Sequence, residues 1–248
     1  VGQRGDHPTR KHARAGVRYL IAVRSLDEQG GVYELRLKLV DAPPNDNFAQ
    51  RTALTGDAIV FDVGTVGATH ESGEPPLNAD TQNFSTSVWY TWTAPRDGTA
   101  LLHANGLFQA AMAVYRGDTI DTLTRLAVSD HDPFVIFYRP SGTRLAFAAK
   151  AGETYQLMID AVESFPGTVT ARLTLSDPPA NDQLANASTL VGETVQIEAT
   201  NHAALNEPGE PLIYGIREPL ASVWWKWQAP RQGRVVPRRC VAGRPSAG

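Results

Sequence analysis

The chain repeats itself. Pro44-Asn45-Asp46-Asn47-Phe48-Ala49 recurs as Ala180-Asn181-Asp182-Gln183-Leu184-Ala185, at an offset of 136 residues (181 − 45). At the same offset Glu71-Ser72-Gly73-Glu74-Pro75 meets Glu207-Pro208-Gly209-Glu210-Pro211. One residue is then lost, and Ser87-Val88-Trp89-Tyr90-Thr91-Trp92-Thr93-Ala94-Pro95-Arg96 meets Ser222-Val223-Trp224-Trp225-Lys226-Trp227-Gln228-Ala229-Pro230-Arg231 at 135 (224 − 89). Upstream, Tyr19 matches Tyr155, and Gly31, Arg36, Leu37, Leu39 and Asp41 match Gly167, Arg172, Leu173, Leu175 and Asp177. A period of 136 residues is the size of a whole domain, so each unit is long enough to close a core of its own beside neighbours in tandem. The chain is therefore expected to hold the C-terminal strands of a preceding repeat (1–41), a complete repeat (42–177) and the N-terminal part of a following one (178–248).

Within 42–177 the apolar residues alternate with period two in short stretches bounded by Gly, Pro, Asp and Asn, which predicts strands and turns. Strands are expected at 58–63, 87–93, 98–104, 110–115, 123–129, 143–149, 154–160 and 167–175. Eight short strands and no long helical period give an all-β fold, a β-sandwich or jelly roll. Asp46 to Leu54 is the exception: an Asn-Asp cap ahead of Phe48, Ala49 and Ala53 predicts one or two helical turns. Pro43-Pro44 and Pro178-Pro179 read as stiff punctuation between units. Residues 1–14 and 236–248 are basic and lack the alternation that their repeat counterparts show, so disorder or aberrant sequence is expected at both ends.

Composition narrows the function. Net charge is −3 from 23 basic and 26 acidic residues, which disfavours a nucleic-acid partner or an anionic membrane held by bulk electrostatics. Apolar runs such as Leu20-Ile21-Ala22-Val23 are far too short to span a bilayer, so no membrane insertion is expected, and any secretion signal would lie outside this chain. The one cysteine, Cys240, makes no internal disulfide, leaving the core or a metal to stabilise an extracellular domain.

Two groups of residues stand out as site candidates. Asn45, Asp46, Glu71 and Glu74, with counterparts Asn181, Asp182, Glu207 and Glu210, are oxygen-bearing side chains of the kind calcium takes. The competing reading makes Asp46 a helix cap and the glutamates solvated loop charges. Asp130-His131-Asp132-Pro133 is a second acidic loop open to the same two readings. In the aromatic strand, parity sends Val88, Tyr90 and Trp92 to one face, the expected core, and Ser87, Trp89 and Thr91 to the other. Trp89 and Trp224 are then either buried under a loop or exposed as a ligand platform, and Trp89→Ala is expected to cost less than Trp92→Ala. No nucleophile elbow, zinc helix, phosphate loop or cysteine cluster is present, and His70, His103 and His131 are scattered; the chain is not expected to be an enzyme. The sequon matches Asn83-Phe84-Ser85 and Asn186-Ala187-Ser188 are near chance in a chain of this composition.

The motifs Pro43–Ala49, Glu71–Pro75 and Ser87–Pro95, followed by Ala113-Val114-Tyr115-Arg116-Gly117 and Ala151-Gly152-Glu153-Thr154-Tyr155, together resemble the bacterial pre-peptidase C-terminal domain family and its long tandem-repeat relatives. The resemblance covers most of residues 15–235. It departs from the family at Gln109-Ala110, where an Asp is usual. It implies a secreted or cell-surface β-sandwich accessory module without catalytic activity, found beside peptidases or in very large repeat proteins, with calcium-binding relatives. The expected role is that of a spacer or adhesion unit whose partners are neighbouring repeats and extracellular polysaccharide or protein. The alternative is a substrate-binding accessory domain of a secreted peptidase or glycosidase whose catalytic domain lies outside this chain.

Overall fold

The computed structural model describes residue 13 and residues 15–23, 31–77, 86–105, 110–129, 142–161, 167–210 and 221–236. Most of both chain ends, the Asp130–Pro133 loop and the Asn83 sequon lie outside the described residues. The chain divides into two compact units, Val1–Pro178 and Pro179–Gly248.

The first unit is a β-sandwich. One sheet runs in the order β1 (Thr52–Leu54), β3 (Val88–Thr93), β8 (Thr154–Ala161), β5 (Ala110–Arg116), β6 (Thr124–Val128). The other runs β2 (Ala58–Gly64), β9 (Thr168–Ser176), β4 (Gly98–Asn105), β7 (Thr143–Ala149). Pairings are antiparallel except β1 with β3, where Thr52 meets Tyr90 and Leu54 meets Trp92. The eight strands expected from alternation form within two residues of their predicted bounds. The expected helical turns over Asp46–Leu54 shrink to a 3-10 turn at Phe48–Gln50. Residues 52–54 become β1 instead, because the open edge of β3 supplies hydrogen-bond partners that a second helical turn would forgo.

Val88, Tyr90, Trp92, Met112, Val114, Tyr155, Leu157 and Ile159 of the five-stranded sheet pack against Leu102, Phe147, Val169, Leu173 and Leu175 of the four-stranded one. This is the main core. A second apolar cluster lies on the outer side of the five-stranded sheet: Trp89, Ala111, Ala113, Tyr115 and Met158, covered by Phe48 and Leu77. That sheet is thus buried on both faces, while the four-stranded sheet keeps one face in water.

Tyr115 stands 5.9 Å from Trp89 in this outer cluster, its hydroxyl buried without a partner. Burial pushes its phenol up to about 12, with nearby Glu74 reinforcing and Arg125 opposing the shift. An unfolded tyrosine ionises near 10. The folded state therefore holds its proton longer, and stability is full below about pH 10 and falls as the pH rises towards 12. Tyr115→Phe is expected to leave stability at pH 7 unchanged or raise it by up to about 1 kcal/mol, since it removes an unsatisfied polar group. It should also flatten the alkaline decline in urea melts; a loss above about 2 kcal/mol would mean the hydroxyl is bonded after all.

Residues 15–23 and 31–43, which match β8, β9 and the following link, contain neither helix nor strand. Their alternating apolar residues point into solvent, Leu37 and Leu39 being 74% and 79% exposed. Among the described residues no strand pairs with them. In the second unit β10 (Ser188–Leu190) and β11 (Trp225–Trp227) pair in parallel, Ser188 with Trp225 and Leu190 with Trp227, which repeats the β1–β3 register. Residues 194–200, the counterpart of β2, form no strand.

Candidate functional site

The residues that the repeat keeps best come together beside β3. Asn45 extends the edge of that strand: its carbonyl accepts from the Trp89 N–H at 2.9 Å, and its Nδ2 donates to the Trp89 carbonyl at 3.0 Å. Asp46 accepts at both oxygens from one residue, Thr69, through the backbone N–H at 2.6 Å and the hydroxyl at 2.7 Å. Glu71 accepts from the Phe48 N–H at 2.9 Å. Gly73, at φ 96°, sits in a conformation that a side chain resists and lets the Glu71–Glu74 turn close. The turn delivers Glu74 into the interior, where the Ser87 hydroxyl lies 2.8 and 2.7 Å from its two oxygens and the Trp89 Nε1–H donates at 3.0 Å. His70 Nδ1 approaches Glu74 from the solvent side at 2.7 Å.

These bonds form a latch that holds residues 45–50 and 69–77 at the outer face of the five-stranded sheet, where Phe48 and Leu77 cover Trp89. Asn45, Asp46 and Glu74 are buried, as is Trp89, which at 0% exposure presents no face to a ligand. The platform reading of Trp89 is therefore corrected: the Glu74 turn carries Leu77 over it, and the 3-10 turn places Phe48 edge-on at 5.1 Å. The calcium expectation required the acids to share one ion. The structure gives each carboxylate its own N–H or O–H donors: Asp46 and Glu74 accept at both oxygens and Glu71 at Oε2. Among the described residues no three His, Cys, Asp or Glu side chains are grouped so as to hold a metal ion. The alternative reading also changes, because Asp46 caps no helix and Glu74 is not solvated.

The second copy rebuilds the latch. Asn181 pairs with Trp224 through both bonds at 2.9 Å, Asp182 accepts from the Leu205 N–H at 2.7 Å, and Glu207 accepts from the Leu184 N–H at 2.6 Å. The Ser222 hydroxyl lies 2.7 Å from each Glu210 oxygen. One bond is missing: Trp224 Nε1 is buried with no acceptor, while Glu210 takes the Glu207 N–H at 2.7 Å. Trp92 Nε1 donates to the Gly56 carbonyl at 2.8 Å, and Trp227 does the same to Gly192 at 2.9 Å.

The cluster has the ingredients of a hydrolase but not the order. Catalysis needs an imidazole between hydroxyl and carboxylate, so that it can take the nucleophile's proton. Here Glu74 stands between Ser87 and His70, and the serine proton is directed at the carboxylate. The sequence shows which residues recur; that Ser87 and Thr69 are their donors was legible only in Ser87 recurring as Ser222, because Thr69 is replaced by Leu205, which keeps the backbone bond and lacks the hydroxyl one.

Glu74→Gln is expected to cost about 2–4 kcal/mol, since an amide accepts at one atom only and turns a donor toward the Ser87 and Trp89 donors. The same loss should appear in urea melts with or without millimolar calcium. A melting point of the wild-type chain that rises with calcium and not with magnesium would show that the acids regroup around the ion.

No protein-family model matches the chain, and no curated protein matches it. Among solved structures it is similar to PliG of Salmonella Typhimurium, a periplasmic lysozyme inhibitor of g-type lysozyme, at 11% identity and a TM-score of 0.28, over 51% of this chain and 97% of that one. A score this low carries no argument about fold or function. No helix among the described residues is long and apolar enough to cross a membrane.

Proposed function

We propose that the chain is part of a large secreted or cell-surface bacterial protein, in which it serves as a non-catalytic β-sandwich repeat acting as a spacer or adhesion unit. The observation that supports this reading is the reuse of the latch. Asn45, Asp46, Glu71, Glu74 and Ser87 return as Asn181, Asp182, Glu207, Glu210 and Ser222, and both sets are engaged in internal hydrogen bonds. What the repeat preserves is thus the means of closing each unit, with no exposed reactive group among it. In this reading the acids act as acceptors, and calcium is not required. The resemblance to pre-peptidase C-terminal modules supports an extracellular location. It equally supports the rival reading, an accessory domain of a secreted peptidase or glycosidase, which sequence adjoining this chain in its gene would distinguish.

A load-bearing spacer unfolds in discrete steps. Pulling the full chain at its ends should give one abrupt extension of roughly 450 Å, the contour of about 136 residues less the folded length, on a compliant background from the flanks. A smooth extension without a step would remove the spacer reading, and turnover on peptide or glycan panels that is abolished by a point mutation would replace it with an enzyme.

A further inference from the structure

We propose that the solvent face of the four-stranded sheet binds an acidic polysaccharide of the uronate type, along a row formed by Arg172, His103 and Arg144. This rests on the adhesion reading above and gives it a ligand class and a surface.

The row follows from register. On β4 the residues Ala100, Leu102 and Ala104 point into the core, so His103 points outward; Arg172 of β9 and Arg144 of β7 stand directly opposite it on either side. Both arginines are exposed. The sandwich employs its other described arginines internally: Arg51 donates to the Phe48 carbonyl, Arg96 bonds Asp177, Arg116 bonds Glu153, and Arg125 donates to the Leu77 carbonyl. Lys150 is held by Asp97. Among the described residues Arg144 and Arg172 alone of the sandwich's arginines make no hydrogen bond or ion pair, and they flank the same imidazole. Placing basic side chains directly opposite one another across strands costs stability rather than adding it. Among the described residues, the one carboxylate pointing outward from these four strands, Asp62, accepts from the Thr170 hydroxyl at 3.1 Å.

Spacing selects the ligand. Adjacent strands lie about 4.8 Å apart, so Arg172 and Arg144 stand about 10 Å from one another on either side of β4. A polyuronate carries one carboxylate per sugar ring, so carboxylates two rings apart span a comparable distance, and each suits the two-pronged donor set of a guanidinium. Exposed Thr170 and Asn105 in the adjoining row supply hydroxyl and amide groups suited to sugar hydroxyls. A nucleic acid fits less well, because no Phe, Tyr or Trp faces outward from these four strands to stack a base.

The test is affinity electrophoresis of the full chain in gels containing polygalacturonate, neutral dextran or a single-stranded oligodeoxynucleotide. Polygalacturonate alone should retard the protein, and about 0.5 M NaCl should abolish the retardation. The double variant Arg144→Gln/Arg172→Gln should bind at least about tenfold more weakly, while Arg116→Gln, on the other sheet, stays within about twofold. The double variant should melt at or above the wild-type temperature; if it melts lower, the two single variants are compared instead, each expected to lose binding in part. The proposal is overturned if polygalacturonate causes no retardation, if the Arg144 and Arg172 variants bind like wild type, if Arg116→Gln weakens binding as much as they do, or if the oligonucleotide binds as well. A failure here leaves the unfolding step of the spacer test intact, and the absence of that step would leave polygalacturonate binding measurable.

Discussion

Excised residues 42–177 are expected to melt in one cooperative transition, whereas residues 178–248 alone are expected to show none. The central segment contains all nine strands of both sheets and every residue of the main core, from Leu54 to Leu175. Its edges are limited to the short β1 and to β2, β6 and β7, as in any self-contained sandwich. The following segment retains the latch and one parallel ladder of three residues per strand, which is too little sheet to be stable in isolation. Its Val191 is 83% exposed, and Val235 and Val236 are also exposed. Circular dichroism melts of the two fragments decide the matter. A non-cooperative central fragment would show that the 15–41 segment is needed to complete it, and a sharp transition in 178–248 would show that the latch suffices to fold half a unit.

Trp89→Ala is expected to cost about 3–5 kcal/mol, as much as Trp92→Ala, which would reverse the ranking drawn from strand parity. Both indoles are buried, at 0% and 1% exposure, and both donate a hydrogen bond, to Glu74 and to the Gly56 carbonyl. Truncating Trp89 removes the ring against which Phe48 and Tyr115 pack and also withdraws a donor from the buried Glu74 carboxylate. Against a total stability of roughly 5–15 kcal/mol such a loss is severe. Trp89→Phe separates the two contributions: it keeps most of the packing and should cost about 1–3 kcal/mol for the lost charge-assisted bond. Urea titrations of the full chain give both values. A Trp89→Ala cost near 1 kcal/mol, with Trp92→Ala at its full value, would mean that the latch segment is loosely held and that β3 has one core face only.

The sequence by itself determined eight of the nine strands of the sandwich and singled out the amide and acids of the latch. Strand alternation is a local property, written in Ala100-Leu101-Leu102-His103-Ala104 as plainly as in β4 itself, and the repeat singled out Asn45, Asp46, Glu71 and Glu74 by returning each of them. What those acids do was decided only by tertiary structure. A carboxylate in sequence is equally a cation ligand, a cap or a hydrogen-bond acceptor; the choice depends on which donors arrive, and Thr69, Ser87 and Trp89 reach them from residues 13 to 23 positions away. The same limit applies to the second face of β3. Period two divides a strand into two sides but does not reveal that Phe48 and Leu77 come to cover the polar-looking one, nor that Arg144 and Arg172, far apart in the chain, line up on either side of His103. Alternation is fixed by the geometry of a single strand, whereas burial of its outer face and register across a sheet arise only when distant segments meet.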